Sequence, residues 1–322
     1  MKYIFVALSF AIVALGASAQ KPLTFVELNC ENLFDCADDT LKSDEEFTPG
    51  GVRHWTQGRY WRKLNNMAQA IVSCTPSLPD LVALVEVEND SVLHALTRRS
   101  LLRNAGYDYL MTSSPDLRGI DVALLYRPQV FLPLCYDMLV VTPLPGMRPT
   151  RDILYVKGGT VGGDTLHVFV VHAPSRFGGE RASRPFRRRV VEVLASAIDS
   201  LYSSHPDAHI VVAGDFNTTL SGHSLQYLLS HRLESATPNV KGSHGAQSNY
   251  RYRGRWEQID HVLVSPTMSR CVVRSFVNDS PFLLIPDEVY GGMKPFRTFN
   301  GYRYEPGFSD HLPVVVCFDL SF

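Results

Sequence analysis

A layered α/β or α+β domain is the fold class this chain predicts, and three observations carry it. Short apolar runs rich in branched residues recur from one end of the chain to the other, helical spacing appears in two places among them, and glycine-rich turns break them in the way antiparallel neighbours require. The runs are Leu23 to Asn29, Leu81 to Val87, Val122 to Tyr126, Leu166 to His172, Ile210 to Gly214, Ile259 to Val264 and Val314 to Phe318. Leu64, Met67, Ala68 and Ile71 repeat at the period of a helix, and so do Phe186, Val190, Leu194, Ile198 and Leu201. Gly158-Gly159 and Gly162-Gly163-Asp164 precede Leu166, which suggests turns and argues against a purely parallel, doubly wound sheet. Two stretches, 36 to 58 and 278 to 308, lack a period. The second holds Phe282, Tyr290, Phe296, Phe299, Tyr302 and Tyr304 among glycines and prolines, so it is either a packed surface loop or a flap that touches substrate.

Residues 1 to 19 read as a processing segment. Lys2 gives a positive start, Ile4 through Gly16 is almost wholly apolar, and Ala17-Ser18-Ala19 before Gln20 fits a small-residue cleavage site. The run is shorter than the roughly 20 apolar residues of a membrane span, so a removable signal peptide and a secreted or periplasmic protein are expected. Its removal takes one lysine with it and moves the formal charge from −1 to −2. A near-neutral chain is not one whose whole surface traps nucleic acid. No linker divides residues 20 to 322, which are read as a single domain. The six cysteines lack the paired spacing of a zinc site; Cys30 and Cys36 are the nearest couple, and buried thiols are as good a reading as disulfides.

Chemistry-bearing residues sit where the apolar runs reach the surface. The first run ends in Asn29-Cys30-Glu31-Asn32 and the second in Glu86; the fourth ends in His172, the fifth in Asp215-Phe216-Asn217; the sixth holds Asp260-His261, and Ser309-Asp310-His311 precedes the last. One acid after a strand is ordinarily a cap or a turn former. Six such ends together are a site, and Asp260 inside an apolar run is costly unless paired. Carboxylates gathered at one edge repel, and a divalent cation relieves the repulsion.

Asn29 with Glu31, Glu86 after Ala83-Leu84-Val85, His172, Gly214-Asp215-Phe216-Asn217, Ile259-Asp260-His261 and Ser309-Asp310-His311 resemble, in order and spacing, the motifs of the endonuclease/exonuclease/phosphatase superfamily. The resemblance covers nearly all of the mature chain, and the Gly-Asp-Phe-Asn and Ser-Asp-His pieces are its most specific parts. It implies an α+β fold, a four-layer α/β/β/α sandwich with two packed mixed or antiparallel sheets and the site at one end. It further implies Glu86 as chief metal ligand, with Asn29, Glu31 and Asp310 completing the metal and phosphate cluster; members often carry aspartate where Glu31 stands. By the same resemblance Asp215 orients and deprotonates the attacking water, Asn217 contacts a phosphate oxygen, Asp260 holds His311 against the scissile phosphate, and His172 is the second histidine of the deoxyribonuclease and sphingomyelinase branches. Oxygen and amide ligands suit Mg²⁺, with Mn²⁺ or Ca²⁺ as alternatives, better than zinc.

Six arginines and a single acid, Glu180, lie between Arg176 and Arg189. Arg176, and Arg118 before Asp121, are expected to fork onto phosphate oxygens, whereas Arg184, Arg187 and Arg188 read as the solvated side of a helix. A phosphodiester of nucleic acid is the expected substrate, with no obligate protein partner. A phospholipid, sphingomyelin or inositol phosphate is the alternative, motivated by the apolar run Phe282-Leu283-Leu284-Ile285, which suits a membrane surface. A non-catalytic binding protein is disfavoured because every motif position holds a competent residue.

Overall fold

The structure is a computed structural model, and residues 22–320 are described. The expected signal peptide therefore lies outside the described residues. The first half runs β1 (Leu23–Leu33), α1 (Gln57–Val72), β2 (Leu81–Val87), α2 (Asp90–Arg98), β3 (Asp108–Met111), β4 (Asp121–Tyr126), β5 (Phe131–Leu139), β6 (Ile153–Thr160) and β7 (Thr165–His172). Next come α3 (Glu180–Ser204), β8 (His209–Asp215), α4 (His223–Leu229), β9 (Glu234–Ser235), β10 (Tyr250–Tyr252), β11 (Arg255–Glu257), β12 (Asp260–Val264) and α5 (Pro266–Ser269). The chain ends with β13 (Val272–Val277), the hairpin of β14 (Leu284–Pro286) with β15 (Met293–Pro295), that of β16 (Phe299–Asn300) with β17 (Arg303–Tyr304), and β18 (Val314–Phe318).

Two six-stranded mixed sheets result, ordered β13-β18-β1-β2-β4-β3 and β5-β6-β7-β8-β12-β9. They pack face to face because successive strand residues alternate sides. In the second sheet Val168, Val170, Val211 and Ala213 join the core shared with the first sheet, where Leu64, Met67, Ala68 and Ile71 of α1 and Val92, Leu93 and Leu96 of α2 also pack. Their neighbours Phe169, Val171, Ile210 and Val212 face the other way, onto Val190, Leu194 and Ile198 of α3 and Leu225 and Leu228 of α4. Helices, sheet, sheet and helices thus form four layers. The Asn89 side chain accepts the Val92 N–H at 2.9 Å and caps α2.

Two expectations are corrected by packing. Gly158 and Gly159 lie inside β6 rather than in a turn, because the Phe131 ring fills the space that a Cβ at 158 would need. The turn is at the second glycine pair, closed by Gly163 N–H on the Thr160 carbonyl at 3.0 Å. The run Phe282 to Ile285 is not a membrane-facing patch: Leu283 and Leu284 are buried at 2% and 5% exposure and belong to the core.

One glycine is required by geometry next to the site. Gly214 has φ of 143°, and a Cβ there would strike the Val171 carbonyl of the parallel neighbour strand. Gly214→Ala is expected to cost ~3 kcal/mol or more, read as a lowered urea midpoint with an unchanged slope.

Candidate active site

Sheet register assembles the site. In the second sheet His172 pairs with Asp215 and Asp215 with Asp260, so three polar strand ends lie in one row. In the first sheet β1 and β2 run parallel with Asn29 opposite Val85, and the register shifts just beyond, where Glu31 and Glu86 stand. Glu31, Asn32, Glu86 and Asn217 have φ of 48°, 61°, 62° and 51°. Non-glycine residues in the left-handed region carry strain of ~1 kcal/mol or more each, and such strain gathers where backbone aims functional side chains. Ser309 Oγ donates to the Asn29 carbonyl at 2.7 Å and accepts the His311 N–H at 3.1 Å, which stitches the last motif to the first.

His311 Nδ1 meets Asp260 Oδ2 at 2.6 Å, and Asn249 Nδ2 donates to the same oxygen. Burial opposes a charged ring, but the Asp260 carboxylate and its hydrogen bond outweigh it and hold His311 well above the ordinary histidine range. Asp215 is 2% exposed; its Oδ1 accepts the Asn217 N–H at 2.7 Å and its Oδ2 accepts Asn29 Nδ2 at 3.2 Å. Burial first, then repulsion from Asp260, push its carboxyl up to about 8. His172 is held the other way, well below the usual range, by burial and by Arg151 and Arg118, so its ring is neutral. Its Nε2 lies 3.8 Å from both Glu86 Oε1 and Asp215 Oδ2.

Asp215, Asp260 and His311 offer ligand atoms within 4.8 Å of one another. The short Asp260 to His311 bond already engages Asp260 Oδ2 and His311 Nδ1 with each other, an arrangement suited to proton handling. A cation fits next door. Glu86 Oε2 accepts the Asn32 N–H at 2.9 Å, leaving Oε1 open, and Asp310 lends Oδ2 to Arg297 Nη2 at 3.0 Å, leaving Oδ1 open. Both side chains line a cleft of about 980 Å³ and, with His311, a smaller cavity of about 300 Å³ behind it.

The sequence profile described as Endonuclease/Exonuclease/phosphatase family matches residues 24–319. The chain belongs to the endonuclease/exonuclease/phosphatase family. No curated protein matches it by sequence. Among solved structures it is similar to an endonuclease/exonuclease/phosphatase family protein from Bacteroides thetaiotaomicron, with 18% identity, a TM-score of 0.60, and 93% of this chain and 98% of that chain covered. A mannosyl-6-phosphatase of the same organism gives 19% identity and a TM-score of 0.60, over 91% of this chain and 98% of that one. TDP2 of D. rerio, in complex with a single-strand DNA product, gives 15% identity and a TM-score of 0.53, over 92% and 98%. As a family member the chain is a phosphoesterase hydrolase, and the chemistry of this family depends on a divalent metal.

Against the family motifs, the structure gathers Glu86, His172, Asp215, Asn217, Asp310 and His311 around one cleft, with Asp260 directly behind His311. Other expected residues have different partners. Asn29 donates its amide to Asp215 and accepts the Glu31 N–H on its Oδ1 at 2.8 Å, which shapes the site. Glu31 has both oxygens engaged by Arg297 and by the N–H groups of Thr298 and Phe299. Arg176 donates to the Asn217 carbonyl at 2.9 Å and meets Glu257 at 2.6 Å, which ties the cleft wall together instead of leaving a free fork. Arg118 stays half-exposed, bonded to Asn32 Oδ1 and 3.9 Å from Glu86. Three contributors escape the sequence reading: Arg297, the buried Lys63 and Asn249. Arg297 lies in the segment flagged at 278 to 308, but its neighbours gave no period to say which side chain points inward.

Asp215 makes the metal-free protein pH-sensitive. Its folded value, about 8, lies above an unfolded carboxyl near ~3.9, so the folded state binds the extra proton between these limits. The contribution is complete below the lower limit and is lost as pH rises to the upper, at up to about 1.4 kcal/mol per pH unit. In EDTA, Asp215→Asn should flatten the fall in urea-unfolding free energy across this window by one proton's worth; an unaltered slope would mean that Asp215 is ionised throughout.

Proposed function

We propose that this chain is a secreted, metal-dependent phosphoesterase that cleaves a phosphodiester of nucleic acid by in-line attack of water, and that residues 20 to 322 act as one catalytic domain. The supporting observation is the convergence of a buried base, Asp215, a cationic His311 and two open carboxylates, Glu86 and Asp310, at the floor of one cleft. Glu86 and the free oxygen of Asp310 would hold the cation, most simply Mg²⁺. A divalent ion bound there draws charge from the phosphoryl oxygens and so lowers the barrier to attack. Asp215, fixed by Asn29 and the Asn217 N–H, would take the proton of the attacking water in its ionised form, which a cation held nearby would favour. His311, locked by Asp260 through Nδ1, turns Nε2–H toward a phosphoryl oxygen and stabilises the charge that builds there. Neutral His172 and the second amide hydrogen of Asn217 are further donors; the first hydrogen is held by the Ala173 carbonyl at 3.1 Å.

A nucleic-acid strand is supported by the cleft rim. Phe177 is 89% exposed and Tyr252 54% exposed, both line the cleft, and Arg118 and Arg148 line it with them. Aromatic rings interleaved with guanidinium groups stack bases and steer a phosphate backbone. A phosphorylated sugar is the second reading. It is favoured by the neutralisation of Arg151 by Asp116 at 3.1 Å and of Arg176 by Glu257, which removes charge that a long polyanion would use. A lipid substrate has lost its motive with the burial of Leu283 and Leu284.

Single-stranded DNA or RNA should be cut with Mg²⁺ or Mn²⁺ and spared in EDTA. Hydrolysis of a hexose 6-phosphate, with every strand left intact under every metal, would replace the first reading by the second. His311→Ala and Asp215→Ala should each lower kcat/KM by ~10²–10⁴-fold with unchanged far-ultraviolet circular dichroism; turnover at the parental rate in either variant would mean the site is elsewhere. The secreted form should begin at Gln20, which N-terminal sequencing of protein from the periplasm or medium would read.

A further inference from the structure

The expected metal cluster contains a carboxylate whose two oxygens are both already engaged by protein donors. Glu31 Oε2 accepts the Thr298 N–H at 2.6 Å, and its Oε1 accepts both the Phe299 N–H and Arg297 Nε, each at 3.3 Å. From the same guanidinium, Nη2 reaches Asp310 Oδ2 at 3.0 Å. A single planar fork therefore spans two acids, a geometry that an ammonium point charge does not reproduce. The neighbouring Thr298 is fixed by Lys63, 1% exposed, which donates to Thr298 Oγ1 at 2.7 Å and to the Phe308 carbonyl. A divalent ion bridging the same two carboxylates would sit ~2.0–2.6 Å from an oxygen of each, in space the guanidinium fills.

We propose that Arg297 stands where a second divalent cation would bridge Glu31 and Asp310, so that the protein seats one ion, between Glu86 and the remaining oxygen of Asp310. Arg297 is then a positioning residue: it neutralises two acids permanently and turns the free oxygen of Asp310 toward the cavity shared with Glu86. This rests on the metal-dependent reading of the site and adds to it the number of ions and the reason Glu31 is not a ligand.

Calorimetric titration of the full chain, stripped with EDTA, with Mn²⁺ alone as the probe, tests it without any substrate. The parent protein should take up a single ion. Glu31→Gln should keep that ion with Kd changed by less than about threefold; a loss of more than about tenfold overturns the inference. Arg297→Gln should take up a second ion, and the double variant Arg297→Gln with Glu31→Gln should return to one, an outcome that a purely structural arginine does not produce. Arg297→Gln staying at one ion, or the parent binding two, overturns it. Should Arg297→Gln fail to fold, Arg297→Lys, which keeps the charge and loses the fork, should hold one ion with Kd weakened about tenfold; an unaltered Kd is again fatal. Two ions on the parent sink this inference alone, whereas no uptake at all sinks the metal-dependent reading with it.

Discussion

The arrangement at the ends of the two sheets is governed by the cost of crowding buried carboxylates. Glu27, Glu31, Asp215 and Asp260 are each at most 4% exposed, and like charges in a poorly solvated space do not stay ionised together without compensation. The protein uses three separate remedies. Asp260 is matched by the His311 ring, Glu31 and Asp310 by the Arg297 fork, and the rest by keeping protons on. Glu27 shows the last remedy at its limit: neither of its oxygens has a hydrogen-bond partner among the described residues, and burial, then Asp260 and Asp215, hold its carboxyl well above the usual range. Glu86 and Asp310 keep one open oxygen apiece after these demands are met, and that surplus is what a cation can use.

Backbone geometry makes that distribution possible. The parallel pairing of β7 with β8 and the antiparallel pairing of β8 with β12 set His172, Asp215 and Asp260 side by side, while bulges in β1 and β2 turn Glu31 and Glu86 away from the pleat. A regular strand would send alternate side chains to opposite faces, so Glu86 in an unbroken β2 would follow the alternation of its apolar neighbours. Left-handed φ values at three of the bulge residues are the cost of redirecting them, offset by the hydrogen bonds each then makes. The glycine at 214 serves the same end by letting β8 pass against Val171 immediately before Asp215.

Much of this was legible in the sequence because the determinants are local. The apolar runs Leu81 to Val87 and Val314 to Phe318 coincide with β2 and β18, and the helical spacing of Val190, Leu194 and Ile198 lies within α3. Strands that contribute only one buried side, or none, were invisible: β5 exposes Leu132, Leu134, Tyr136 and Met138 at a sheet edge, where no burial pattern marks it. The site residues at strand ends were legible for the same reason the strands were. Their partners were not. Arg297 meets a residue 266 positions earlier and Lys63 one 235 positions later, and no periodicity in either segment encodes such a meeting. Arg176 misled in the opposite direction, because a basic run beside a catalytic histidine says nothing about an acid such as Glu257 waiting 81 residues on.

That pairing bears on how the cleft chooses its substrate. The floor acts on the phosphoryl group, which is common to every phosphoester, and so it distinguishes little beyond it. Discrimination falls to the walls, and there two of the four arginines that line the cleft are committed, Arg151 to Asp116 and Arg176 to Glu257. Paired in this way an arginine is a strut that fixes the shape of a loop rather than a source of attraction for distant anions. A wall built of struts, on a chain whose formal charge is −1, selects by the fit of what stands beside the phosphate. The exposed ring of Phe177, set on the loop that Arg176 anchors, is part of that wall, and its shape bears on what fits beside the phosphate.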